Sequence, residues 1–372
     1  MPAMDLNHDD GRPPRPAASP LVLGTMGWGT DGDRPARADA ALQAALAAGV
    51  TVLDTADIYG GGDSERAVGA ALAGLAPEDR ARLRVQTKCG IVLPGTTPPH
   101  TTPPHTTPPD AAPGISPAPT TRYDSTPGHL KASLAASLER LGVDRVDVML
   151  IHRPDLLTPV EQTVRAFLDE REAGRVDRLG VSNLPLDRAA RFHRELRRLS
   201  ADGTGLDCVQ VELGLHHRAL VEAAVLANHG TAAATAGAEG LPQWCADEGV
   251  ALQAWGPLGQ GRYTRGAAAA RPSVDTTGGL TRDHTGNPAD VARSSEQEAA
   301  VVVQELADRL GLPGEAVVLG WLRRLPWDVR PVVGTMDPGR IAACARADEA
   351  AAALDHADWY RLLTAARGVA LP

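Results

Sequence analysis

The chain has 372 residues, 43% of them apolar and 22% charged, which is enough apolar sequence for a sizeable packed core. Thirty-seven basic against 46 acidic residues give a formal charge of −9. That balance excludes the basic footprint of a nucleic-acid binder, and no apolar run approaches the roughly 18 residues of a membrane-spanning helix.

Taken in chain order, residues 1–18 are polar and proline-rich, and they are expected to form a tail ahead of a single domain at 19–372. Strand-like apolar runs follow at 21–24, 51–54 and 83–88. An expected insertion at 94–126 contains the repeat TTPPH-TTPPH-TTPPD, whose prolines favour an extended segment unable to build a core. His100 and His105 within it read as part of a solvated spacer rather than as metal ligands. Thr126-Pro127 opens a helix that places Leu130, Leu134, Leu138 and Leu141 on one face before Gly142. Strands are expected at 146–152, 178–182, 207–211, 251–254 and 330–333, and Thr158-Pro159-Val160-Glu161 between the first two reads as a capping box. Gly-rich insertions are expected at 227–240 and 266–293. Asp337-Pro338 opens a helix after the last strand, and a closing helix pattern runs over 355–366. Eight strand-then-helix units imply an all-parallel sheet covered by helices. No GxGxxG follows any strand, so the expected fold class is α/β, a closed (β/α)8 TIM barrel with a closing C-terminal helix and Pro/Gly-rich loop insertions.

Four scattered cysteines, Cys89, Cys208, Cys245 and Cys344, lack CxxC spacing and read as free thiols. The acidic N-terminus is unlike a signal peptide, so the expectation is a cytoplasmic protein with no nucleic-acid and no membrane partner. Arginine supplies nearly all the positive charge: there are 35 arginines and two lysines, Lys88 and Lys131. Lysine is a compact charge with a tunable pKa, so a lysine in such a chain asks why arginine would not serve. Lys131 lies in a helical pattern and should be exposed, whereas Lys88 ends the third strand. A barrel of this type carries its site at the C-terminal ends of its strands. Asp54 stands there, with Tyr59 in the following loop, as do Lys88, His152, Ser182-Asn183, Gln210 with Glu212, and Trp255 leading into a glycine-rich turn at 256–261.

The ordered runs LDTADIYGGGDSERAVGAAL, TKCGI, IHRPD, GVSN, VQVEL, AWGPLGQG and VVGTMDPGRI resemble the aldo-keto reductase superfamily over about residues 20–370. The likeness is strongest to its bacterial oxidoreductases of the YdhF-like type. It implies a (β/α)8 barrel that uses NADP(H), with NADH possible, to pass a hydride to the carbonyl of a small aldehyde or ketone. It also implies a catalytic tetrad of Asp54, Tyr59, Lys88 and His152 and no metal. The chemistry of that set is coherent. A phenol of pKa about 10 is a sluggish proton donor, a nearby ammonium is expected to lower that pKa, and a carboxylate holds the ammonium in place. His152 would orient the carbonyl.

The resemblance further assigns Ser182, Asn183 and Gln210 to the nicotinamide carboxamide and Trp255 to its ring face. It assigns Gly256, Pro257, Leu258, Gly259 and Gly261 to the pyrophosphate, and Gly24, Thr25, Met26 and Asp54 to the same cofactor. Gly334, Thr335, Met336 and Arg340 fall at the adenosine 2′-phosphate, where helix-terminus amides and a guanidinium are expected. Many members carry Lys-Ser where this chain has Gly334-Thr335, and Ala343 and Cys344 replace polar residues, so a weakened preference for NADPH is expected. Substrate candidates are Trp28, Tyr123, His216 and His217 alongside Tyr59 and His152. An alternative reading is a cofactor-binding redox sensor or regulatory subunit with little turnover. A Schiff-base lyase using Lys88 leaves Tyr59 unexplained, and the absence of Tyr-x-x-x-Lys excludes a short-chain dehydrogenase.

Overall fold

The computed structural model describes residues 19–95, 120–225, 240–264 and 288–372. The expected tail, the TTPPH repeat with its two histidines, and most of the expected insertions at 227–240 and 266–293 lie outside the described residues. Ten strands are described: β1 (Val22–Gly24), β2 (Val52–Asp54), β3 (Arg84–Cys89), β4 (Ile91–Val92), β5 (Arg122–Tyr123), β6 (Val146–Ile151), β7 (Val176–Ser182), β8 (Cys208–Glu212), β9 (Ala251–Trp255) and β10 (Val329–Val333). Eight of them pair in parallel in the order β1-β10-β9-β8-β7-β6-β3-β2 and close into a barrel. These are the eight expected strands, with ends shifted by a residue or two. Helices cover their outer faces, so the strands are buried on both sides and read as continuous apolar runs.

The barrel interior is layered. Val148, Leu150, Cys208 and Ala251 form one apolar cluster. Gly180 makes room for it: a Cβ there would stand 2.8 Å from the Cys208 sulfur and 3.0 Å from Leu150. A second cluster of Val22, Val52 and Val332 packs against Trp255. The closing helix His356–Arg367 carries an Asp355/Asp358 capping box and ends at left-handed Gly368. It docks by stacking Trp359 on Trp321, 5.2 Å between ring centres, and each indole N–H donates to the other residue's carbonyl.

Three local expectations change. The span 94–126 is partly built into the fold. Arg122–Tyr123 pairs antiparallel with Ile91–Val92, Ser125 is buried, and Thr126 caps the helix Pro127–Leu141. Two-residue strands carry no periodicity, so the sequence does not announce this hairpin. The helix Pro288–Leu310 begins inside the span 266–293. The Thr158 capping box does not form, because the Thr158 hydroxyl donates to Asp155 Oδ2 at 2.5 Å and the helix starts behind Pro159 without a side-chain cap. All four cysteines are free and buried. Among the described residues no helix is long and apolar enough to cross a membrane, and no His, Cys, Asp or Glu cluster could hold a metal ion.

Candidate active site

Asp54 ends β2, Lys88 lies near the end of β3, and His152 follows β6, so three neighbouring strands deliver them to one rim of the barrel. Tyr59 is returned to the same place by a short 3₁₀ turn, Tyr59–Gly62, in which Gly60, Gly61 and Gly62 all have positive φ. Glycine adopts that conformation without strain, which accounts for the triple glycine. Lys88 is wholly buried, and its ammonium donates to Asp54 Oδ2 at 2.6 Å, the Thr55 carbonyl at 2.8 Å and Tyr59 Oη at 3.2 Å. All three of its protons are used. The His152 ring stands edge-on to Tyr59 with centres 5.9 Å apart. Lys131, by contrast, is an exposed helical residue paired to Asp169.

Beneath this group lies a layer of amides that sequence reasoning missed. Asp54 sits opposite Gln86 in the β2–β3 register, and Gln210 opposite Gln253 in the β8–β9 register. The Gln86 amide N–H₂ donates to Asp54 Oδ1 at 2.6 Å and to Gln253 Oε1 at 2.8 Å. Gln210 donates to the same two acceptors at 3.1 and 2.8 Å. Gln253 returns a bond to Gln86 Oε1 at 3.0 Å. The signal for this layer is polar residues facing inward from otherwise apolar parallel strands.

Burial taken alone would lower the pKa of Lys88, but the Asp54 carboxylate and Tyr59 outweigh it and raise its pKa, so it remains an ammonium. For Tyr59 the expected lowering is reversed. Burial outweighs the pull of Lys88, and the phenol pKa is raised. Tyr59 is therefore a phenol at neutral pH. Burial first, then the charges of Lys88 and Arg153, push His152 down to about 2, so it is neutral. Its Nδ1 is buried without a partner among the described residues. Asp57 keeps some exposed surface, yet one carboxyl oxygen is enclosed and unpartnered, and burial with nearby Glu65 raises its pKa to about 7. Glu65 is itself buried, accepting from Arg140 Nε and Thr87 Oγ1 at 2.6 Å each. With its protons committed and its amine charged, Lys88 is not a Schiff-base nucleophile.

A cavity of about 640 Å³ opens from Tyr59 and His152 across the strand ends. Its lining includes Gly24, Met26, Ser182, Asn183 and Gln210, the turn from Trp255 through Gly261, and Gly334, Thr335 and Arg340. Trp255 is pinned by its N–H donating to Asn183 Oδ1 at 2.9 Å, and Asn183, at φ 59°, donates onward to Ser182 Oγ and the His152 carbonyl. The Asn183 amide is thus committed to bracing, whereas Gln210 Oε1 accepts nothing among the described residues. Gly256, Gly259 and Gly261 have positive φ and bare backbone facing the cavity.

Several expected residues lie elsewhere. Thr25 is buried and donates to the Asp54 carbonyl, and Met336 packs against the core. Trp28 is 2% exposed and belongs to the core, while Tyr123 and His217 are exposed outside the cavity. His216 lines it, bonded to Glu212 at 3.3 Å. The helix-terminus amide of Arg340 is taken by the Asp337 side chain, and the Arg340 guanidinium donates to Glu315 at 3.2 Å.

The closed parallel barrel thus carries a buried ammonium beside a phenol at one end of the cavity. A model described as the Aldo/keto reductase family matches residues 20–362, and the chain belongs to that family. It is 31% identical over 352 residues to 6-dehydroglucose reductase of Agrobacterium fabrum, covering 94% of this chain and 95% of that one. It is 28% identical over 332 residues to oxidoreductase YdhF of Escherichia coli, covering 87% and 85%. An aldo-keto reductase from Klebsiella pneumoniae, crystallised with NADPH, shares the fold at TM-score 0.61 and 21% identity, over 93% of this chain and 90% of that one.

Proposed function

We propose that the protein is an NADPH-dependent reductase of small aldehydes or ketones, with Tyr59 as proton donor. One observation carries this reading: the Lys88 ammonium is fixed between the Asp54 carboxylate and the Tyr59 hydroxyl. The residues present suit a nicotinamide dinucleotide. The Ser182 hydroxyl and Gln210 Oε1 offer the donor and acceptor a carboxamide needs, Trp255 offers a braced aromatic face, and the glycine turn lets backbone approach a pyrophosphate. When bound, that cofactor supplies the hydride, which no side chain can.

The chain's own residues manage the oxygen. Neutral His152 orients the carbonyl by an N–H hydrogen bond, and Tyr59 Oη gives its proton to the alkoxide as charge develops. The resulting tyrosinate lies 3.2 Å from the Lys88 ammonium, which stabilises it without surrendering a proton, because Asp54 holds Lys88 charged. At the far end the Arg340 guanidinium is shared with Glu315 and its backbone amide is taken by the Asp337 side chain, which supports a modest preference for NADPH over NADH.

Oxidation of NADPH in the presence of an aldehyde and ketone panel tests the reading. Turnover with NADPH, and slower turnover with NADH, is the expected result. Tight NADPH binding without turnover on any carbonyl would favour the sensor alternative. A preference for NADH would remove Arg340 from the phosphate site.

A further inference from the structure

Five charged side chains line the cavity: Asp54, Arg153, Glu212, Arg262 and Arg340. Four are engaged within the protein. Asp54 pairs with Lys88 at 2.6 Å, Glu212 with His216 at 3.3 Å, Arg262 with Glu296 at 2.5 Å and Arg340 with Glu315 at 3.2 Å. Arg153 is the exception, with no hydrogen bond or ion pair among the described residues. It is half-buried, and its charge reaches both His152 and Glu212, lowering the pKa of each. Glu212 does not close on it, being held by His216 and lying 3.9 Å from His217.

A guanidinium withdrawn from water without an acceptor is unfavourable, and its planar fork matches a carboxylate. Its position separates it from the groups assigned to cofactor phosphates. Arg153 directly follows His152 beyond β6, and β6 stands four strands round the barrel from β10, which leads to Arg340. The carbonyl end of the cavity otherwise offers apolar surface from Ile58 and Ile91.

We propose that Arg153 binds the substrate and selects carbonyl compounds that carry a carboxylate, oxo acids or uronate-type aldoses, over neutral carbonyls of the same length. This rests on the reading of the site as a carbonyl reductase. The carbonyl lies under Tyr59 and His152, the connecting carbons run along Ile58 and Ile91, and the carboxylate pairs with the guanidinium.

The test compares wild type, Arg153→Met and Arg153→Lys on two matched pairs, succinic semialdehyde against butanal and D-glucuronate against D-glucose. NADPH affinity, and binding of succinate to the NADPH complex, are measured by fluorescence on the same proteins. Wild type is expected to show a KM at least about tenfold lower for the charged member of each pair. Arg153→Met should erase that difference and weaken succinate binding, raising KM far more for the charged member of each pair than for the neutral one while NADPH affinity is kept, and Arg153→Lys should restore part of it. Equal KM values within a pair, or equal losses on both members, overturn the proposal. Loss of NADPH affinity in Arg153→Met also overturns it and assigns the residue to the cofactor. If no carbonyl turns over but succinate binding depends on Arg153, the reductase reading fails and the anion site stands. If succinate does not bind either, both fail.

Discussion

Around Tyr59 the Asp54 and Lys88 charges and the amides beneath them are met by buried partners, while around Arg340 the polar groups are half-exposed and partly opposed by acids. At the first end, Asp54 accepts from Lys88, Gln86 and Gln210, and Gln253 ties the two glutamines together. At the second, Arg340 is shared with Glu315, its amide is capped by Asp337, and Ala343 and Cys344 bring no polar atoms toward the cavity. On the proposed reading, the difference follows from what each end would do. Proton transfer needs donors fixed in advance to within fractions of an ångström, because reorganisation during the reaction raises the barrier. Recognition of a phosphate needs only positive charge within reach, and that charge can be tuned by neighbours.

If the Tyr59 end is the preorganised one, substitutions there should cost much more than substitutions at the Arg340 end. Tyr59→Phe keeps the ring and removes the proton; kcat should fall by about 10³-fold or more with NADPH affinity retained. Lys88→Met should lose comparable activity and also destabilise the fold by about 3 kcal/mol or more, measured by denaturant unfolding, because it strands Asp54 as a buried charge. Gln253→Leu removes the shared acceptor of Gln86 and Gln210. A stability loss of about 1–3 kcal/mol is expected with a several-fold fall in kcat, and an unchanged kcat would show that the amide layer does not position Asp54. Smallest is Arg340→Ala, which should weaken NADPH binding by about 1 kcal/mol or less and leave NADH binding unchanged. A hundredfold loss there would erase the contrast between the two ends.

Much of the Tyr59 end is legible in the sequence because Asp54, Lys88 and His152 stand at or beside the ends of apolar strands, and a barrel brings strand ends together. Lys88 stands out further in a chain that otherwise uses arginine. Gln86 and Gln253 do not stand out, since a glutamine inside a short strand reads like any outward-facing polar residue until the register places Gln86 opposite Asp54 and Gln253 opposite Gln210. The sign of the Tyr59 shift is equally hidden, because spacing reveals the ammonium but not the burial that outweighs it. At the other end, the Arg340–Glu315 pair joins residues on different helices, so the opposing acid appears only once the helices pack. The β4–β5 hairpin is likewise settled by a tertiary partner, Ile91 with Tyr123, whereas the misread Thr158 cap is settled by a local competitor, Asp155 three residues before it.

The central claim, that Tyr59 rather than His152 is the proton donor, is tested most directly by the pH dependence of single-turnover reduction in the wild-type enzyme. With Tyr59 raised and His152 pushed down to about 2, the rate should hold through the range where an ordinary histidine titrates and fall only on the alkaline side. Ionisation of Asp57 near 7 holds the Tyr59 proton more tightly and should add a small step, not a continuing slope. A rate that instead falls about tenfold for each pH unit above roughly 6.5 would place the transferred proton on a histidine and contradict the account.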